Sequence, residues 1–199
     1  MILTGIGGQG IITLATLIGN AAVLEGYEVR MSEVHGMAQR GGHVVCHLRF
    51  GSSIYSPLVM EGMADLLVSL ELSEVLRVLQ YLKPNGTVII NNYKAPPPLA
   101  VIKGVKYPSI EEVLVELLKV TSKVYTINAQ EIARNLGTLN VMNTVVLGAV
   151  WATQELGISK ESLIKAITMR FGEKWKDINV KAFEAGANAL IKGQGINHA

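Results

Sequence analysis

Apolar residues come in short runs broken by glycine or polar clusters up to about Leu139, and in longer stretches after it. Met1–Thr4 is a short run that stops at Gly5. Ile11–Ile18 opens an apolar stretch that continues to about Gly26. The first has the length of a buried strand and the second that of a buried helix. Further strands are expected at Tyr27–Met31, Val44–Phe50, Ala64–Leu70, Thr87–Ile90 and Lys123–Asn128. Ile54–Ser56, after the turn signal Gly51-Ser52-Ser53, reads as a short hairpin return. Helices are expected at Ser73–Leu82, from Ser109 to about Val120, and at Ala129–Asn135. Ser109 followed by Glu111 and Glu112 is a cap with acids in the first turn. Lys83-Pro84-Asn85-Gly86 carries Pro and Gly in favoured turn positions. After Leu139 only helical patterns appear, at Asn143–Leu156, after the cap Ser159, and at Lys176–Lys192. Alternating strands and helices followed by a helical third predict an α/β fold. The expected form is a three-layer α/β/α sandwich on a Rossmann-like, mostly parallel sheet, one domain over residues 1–199.

One stretch fits neither periodicity. Ser32 to His43 carries two His, a Glu, a Gln and an Arg among three glycines, so it reads as a binding loop held by the scaffold. A second polar feature precedes it. Gly5, Gly7 and Gly10 have GxGxxG spacing between a strand and a helix, within Gly5-Ile6-Gly7-Gly8-Gln9-Gly10. Such glycines let the backbone approach a pyrophosphate, and the following helix supplies unpaired N–H groups. Glu33 stands near the end of the second strand, where a dinucleotide-binding fold places a carboxylate for ribose hydroxyls. A stand-alone NAD(P)-binding oxidoreductase is therefore one reading, and a purely structural turn another. Glu71 directly follows a strand, at the end where α/β proteins place ligands.

Composition narrows these classes. The 199 residues are 49% apolar and only 17% charged, against roughly 25% charged in an average domain. Little charged surface hints at large buried interfaces. The net charge of +2, without a basic block, gives no nucleic-acid footprint. No stretch reads as a membrane span or a signal peptide, so a cytoplasmic protein is expected. Cys46 is the only cysteine. It excludes an internal disulfide and a cysteine-ligated iron–sulfur cluster, and reads as a small core residue. His43 and His47 are separated by roughly 13 Å if they lie along one strand, too far to share a metal, so no metal site is expected. His47 and Arg49 read as strand-surface residues.

Taken together, Gly5-Ile6-Gly7-Gly8-Gln9-Gly10 and Glu33-Val34-His35-Gly36-Met37-Ala38-Gln39-Arg40-Gly41-Gly42 resemble the γ-type subunits of 2-oxoacid:ferredoxin oxidoreductases. The His-Gly-Met form is most similar to the small subunits of the indolepyruvate enzymes. The resemblance covers most of the chain, including Asn140 and Asn143 before Leu147-Gly148. It implies coenzyme A-dependent oxidative decarboxylation of an arylpyruvate, with electrons passing to ferredoxin. This chain lacks the Gly-Asp-Gly segment and downstream Asn that hold thiamine diphosphate and magnesium, and Asn91-Asn92 has no such upstream partner. Thiamine diphosphate, magnesium and 4Fe-4S clusters are thus expected in a large α subunit, with this chain inactive alone. Gly5, Gly7, Gly8, Gln9, Gly10, Glu33, Gly41 and Gly42 become candidate cofactor-binding residues, with coenzyme A as one candidate ligand and a vestigial or purely structural glycine turn as the alternative. His35 and Arg40 become candidates for substrate carboxylate or coenzyme A; the alternative is that they only bridge the subunits. Self-association of the isolated chain is also open.

Overall fold

A computed structural model describes residues 1–35, 41–96, 102, 104 and 106–191. Six strands form one sheet in the order β2-β3-β1-β4-β5-β6. They are β1 (Ile2–Ile6), β2 (Glu28–His35), β3 (His43–Gly51), β4 (Ala64–Ser69), β5 (Leu82–Asn91) and β6 (Val124–Ile127). β1, β4, β5 and β6 pair in parallel, whereas β3 runs antiparallel to both β1 and β2. Only β3 is reversed, so the sheet is mostly parallel as expected.

The helices are α1 (Ile11–Leu24), α2 (Ile110–Leu118), α3 (Ala129–Asn135), α4 (Met142–Ala152), α5 (Lys160–Phe171) and α6 (Lys176–Ala189). Period-2 alternation sends Leu3, Cys46, Leu48, Val68 and Ile89 to one face, against residues of α1, α4, α5 and α6 such as Leu14, Ile18, Val146, Ile167 and Phe183. Ile2, Val45, Leu67, Val88 and Ile90 face the other way, onto Val75, Val78, Val113 and Leu117. These are the three layers. The Ser109 cap forms as predicted: its side chain accepts from Glu112 N, and the Glu112 side chain accepts from Ser109 N.

Several local expectations are corrected. Ser32–His35 belong to β2, not to a loop; as a sheet edge, β2 tolerates polar residues on both faces, and Ser32 pairs with His47 and Glu33 with Cys46. The antiparallel excursion is thus β2–β3, and Ile54–Ser56 form no strand. Ser73–Leu82 is a 3-10 segment over Glu74–Tyr81. Lys83–Gly86, expected as a turn, is instead a bulge inside β5: pairing with β4 jumps from Ala64↔Leu82 to Leu66↔Thr87, with Asn85 at φ 61°. His47 is not at the surface. It is buried, its Nδ1 accepts from Val59 N at 3.1 Å, and its ring stands edge-on to Tyr81. Burial lowers its pKa, so its contribution to stability is complete above the ordinary His value and fades as pH falls below it.

Cys46 is fully buried, and desolvation, followed by the Glu33 charge, pushes its thiol up to about 12. At pH 8 roughly one molecule in ten thousand then carries a thiolate. Iodoacetamide at pH 8 is expected to alkylate the native chain at least about a hundredfold more slowly than the urea-denatured chain, as read by mass spectrometry. Equal rates would refute the buried assignment.

Candidate functional site

The site is built at the carboxyl ends of the parallel strands. After β1 the chain turns through Gly7–Gly10, with Gln9 N donating to Ile6 O at 3.1 Å. The Gln9 side chain folds back into the turn. Its Oε1 accepts from Ile6 N at 2.8 Å and its Nε2 donates to Leu70 O at 3.5 Å. A Cβ on Gly5 would lie 2.6 Å from that Oε1 and 3.2 Å from Leu70 Cβ. Gly5 and Gln9 therefore shape the turn from behind, and Gly7, Gly8 and Gly10 form its outer surface. Gly10 has φ +81° and is the N-cap of α1, which no side chain caps and whose first turn holds no acid.

Gly41 and Gly42 meet this turn directly. Gly7 N donates to Gly42 O at 2.8 Å, and Gly41 N donates to Gly7 O at 3.3 Å. The two glycine motifs, more than thirty residues apart in sequence, are thus clasped backbone to backbone where β1 pairs with β3. His35 ends β2 opposite Val44, and Arg40 lies outside the described residues. His43, beside the clasp, pairs through Nδ1 with Glu74, whose other oxygen takes Arg77 Nε at 3.3 Å.

Two cavities flank the turn. One, of about 420 Å³, lies over Gly7, Gly8, Gly10 and the first turn of α1 and is walled by Glu33. The other, of about 400 Å³, shares Gly8 and Gly10 but is walled by Tyr93, Gln130, Arg134, Asn140 and Asn143. None of these five is marked as a ligand residue by the sequence: Gln130 and Arg134 are four apart on α3, but Tyr93, Asn140 and Asn143 come from other segments, and only the fold brings them together. Asn143 Nδ2 donates to Gly10 O at 3.3 Å, while its Oδ1 is buried with no hydrogen-bond partner among the described residues. Asn91 is fully used inside: Oδ1 accepts from Ala129 N, and Nδ2 reaches Leu70 O and Gln130 Oε1.

Glu71, at the end of β4, is a fastener and not a ligand group. It is completely buried, and its two oxygens accept from Ser73 N, Ser73 Oγ, Glu74 N, Ala95 N and Tyr107 OH. Burial, with Glu71 alongside, raises the Tyr107 phenol above its usual range. Glu71→Gln turns an acceptor into a donor amid donors. It should lower unfolding free energy by about 1–3 kcal/mol in urea titration, and an unchanged midpoint would contradict this network.

A stand-alone NAD(P)-binding reading is not supported. In that fold the strand after the first helix pairs with β1, whereas here β3 is inserted antiparallel between β1 and β2. Among the described residues no helix is long and apolar enough to cross a membrane.

Residues 1–189 match the family model described as pyruvate ferredoxin/flavodoxin oxidoreductase. The chain is 39% identical to indolepyruvate oxidoreductase subunit IorB of Archaeoglobus fulgidus, covering 98% of this chain and 96% of that one. Its fold is similar to the γ subunit of a keto/oxoacid ferredoxin oxidoreductase from Geobacter sulfurreducens, with TM-score 0.69, 22% identity, and 96% and 97% of the two chains covered. It is also similar to 30% of a chain of the 2-oxoglutarate:ferredoxin oxidoreductase from Magnetococcus marinus, a structure with 2-oxoglutarate, coenzyme A and succinyl-CoA bound; the TM-score is 0.73, the identity 20%, and 96% of this chain is covered. By the span of that family match and the near full-length likeness to its members, the chain belongs to the pyruvate ferredoxin/flavodoxin oxidoreductase family.

Proposed function

We propose that this chain is the small subunit of an indolepyruvate:ferredoxin oxidoreductase, and that its glycine-turn face completes an active site carried mainly by a large partner subunit. The observation that supports this most is the clasp of Gly7 with Gly41 and Gly42. It makes one surface of the two motifs that the resemblance rests on, and gives the second motif a place that a nucleotide-binding turn alone leaves unexplained.

In this reading Gly7, Gly8 and Gly10 approach the phosphates of coenzyme A, Gly5 and Gln9 hold the turn, and Glu33, Gly41 and Gly42 bound the site. The fit rests on the turn itself: exposed backbone at an uncapped helix start, with two open cavities beside it. Coenzyme A supplies the thiol that receives the acyl group. His35 and Arg40 bind the substrate carboxylate or coenzyme A. The 4Fe-4S clusters belong to the large subunit, because the single cysteine here is buried in the core, and thiamine diphosphate and magnesium belong there too, because this sequence has no Gly-Asp-Gly segment with a downstream Asn to hold them. Ile12, Met31 and Val34 are 41%, 41% and 53% exposed, apolar side chains that such a partner would cover. Ferredoxin is reached through the complex, which works in the cytoplasm, and residues 1–199 act as one γ-type domain.

The test is an anaerobic pull-down of the native chain. A large brown partner and indolepyruvate-dependent viologen reduction requiring coenzyme A are the expected result. A colourless chain, recovered alone in repeated anaerobic trials, would overturn the proposal.

A further inference from the structure

The corner where α5 meets α6 carries an exposed aromatic and cationic patch that lines neither cavity beside the glycine turn. α5 ends at Phe171, and the 3-10 turn Glu173–Trp175 leads into α6. Met169 is 65% exposed and Trp175 52%. Arg170 and Lys174 are exposed as well, and each lies over a ring. Arg170 Cζ is 5.6 Å from the centre of Phe171, and Lys174 Nζ is 5.3 Å from that of Trp175. All 16 Asp and Glu residues of the chain lie among the described residues, and none forms an ion pair with Arg170 or Lys174. Of the two acids in this corner, Glu173 pairs with Lys176 at 3.4 Å, and Asp177 lies in the first turn of α6, where a helix start favours a carboxylate. Lys165, Arg170, Lys174 and Lys176 outnumber Glu173 and Asp177, so the corner is net cationic.

Two sets of contacts place this patch at the glycine-turn end of the molecule. α5 starts where α1 stops: Ser159 N and Oγ donate to Glu25 Oε1 at 2.7 and 2.6 Å. It then packs back along α1, so its last turn lies toward the start of α1. From the other side, Asn179 Nδ2 donates to Trp175 O at 2.8 Å, and Asn179 Oδ1 accepts from Thr144 Oγ1 at 2.7 Å. Thr144 follows Asn143, whose Nδ2 donates to Gly10 O. Trp175 is thus tied to the glycine turn through the buried Asn179 and Thr144.

We propose that this corner docks an acidic segment of the large partner subunit. This rests on the reading of the chain as a small subunit whose glycine-turn face completes the partner's active site. Trp, Met and Arg are the residue types that concentrate in protein interfaces, where a ring beside a cation supplies apolar area and charge together. Carboxylates of the partner give Arg170 and Lys174 the charge-assisted contacts that no acid of this chain supplies. A second copy of this chain fits worse, because two-fold pairing of the patch sets its excess of cations against itself.

The test is anaerobic calorimetry of this chain with the large subunit, using Arg170→Glu, Trp175→Ala and Lys119→Glu. Lys119 ends α2 on the opposite side of the sheet, and its reversal changes the net charge as much as that of Arg170. Melting curves check each fold, and Arg170→Glu alone carries the test if Trp175→Ala is unstable. Expected are about a tenfold loss of affinity in Arg170→Glu, roughly a thirtyfold loss in Trp175→Ala, and no loss in Lys119→Glu. Raising the salt from about 50 to 300 mM should weaken wild-type association more than that of Arg170→Glu. Wild-type affinity in Arg170→Glu and Trp175→Ala, or an equal loss in Lys119→Glu, would overturn the inference while the subunit reading stands. A wild-type chain that binds no large subunit overturns that reading, and the inference with it. Sedimentation of the isolated chain tests the other occupant: a dimer that Trp175→Ala dissociates, with large-subunit affinity unchanged, assigns the patch to a second copy and overturns the inference.

Discussion

Gly148→Ala is expected to lower the melting temperature by roughly 6–12 °C, about 3 kcal/mol for a chain of this size. Helix propensity alone predicts the opposite, since Ala is favoured over Gly by about 1 kcal/mol inside a helix. The crossing of α4 and α6 reverses the sign. A Cβ on Gly148 would stand 1.9 Å from Phe183 O, and one on Gly186 would stand 1.8 Å from Val145 O. Each glycine receives the backbone of the opposite helix, so the obstacle is main chain and no side chain can rotate away. The helices must separate, which loosens the contacts that Ala182 and Phe183 make in the core. Gly186→Ala should behave alike. The double variant should lose less than the sum, because one separation relieves both contacts. A Gly148→Ala protein that melts at or above the wild-type temperature would refute the close crossing.

Gly10→Ala should remove coenzyme A-dependent turnover of the complex by roughly a hundredfold, the scale of a displaced binding wall. Its φ of +81° costs an L-residue about 1–2 kcal/mol, and its Cβ would lie 2.2 Å from Asn143 Nδ2. Asn143 must move, and with it one wall of the cavity that holds Arg134. Gly26→Ala is the control. Gly26, which lines neither cavity, has φ +85°, yet nothing lies within 4 Å of its would-be Cβ. It should carry backbone strain without the collision, losing stability comparably but turnover much less. Equal turnover in the two variants would show that the Gly10–Asn143 contact does not shape the site.

Much of the scaffold was legible because its cause is local. Strand alternation, the Ser109 cap and the Gly7–Gly10 turn each depend on residues within a few positions of one another. The burial of Cys46 followed from its place between Val45 and His47 on an alternating strand. Misreadings arose where tertiary surroundings override the local signal. Ser32, Glu33 and His35 are polar yet lie in an edge strand, because pairing with β3 satisfies one side and solvent the other. Glu71 stands where ligands often bind, but five donors converge on its buried carboxylate. His47 alternates to the face opposite Cys46, and that face is covered by Tyr81 and Val59, so it is buried as well.

By itself, then, the sequence determined the α/β order, the glycine turn after β1, the second glycine pair and the absence of a cluster-binding cysteine set. Each is a matter of residue type and short spacing. Only the tertiary structure decided that Gly7 clasps Gly41 and Gly42, that Asn143 reaches back to Gly10, that Gly148 and Gly186 face each other's backbones, and that Arg134, Asn140 and Asn143 line one cavity beside the turn. Those contacts join residues 34 to 133 positions apart. Hydrophobic period carries no information about such distances, which are set by how the strands are ordered and how the helices cross.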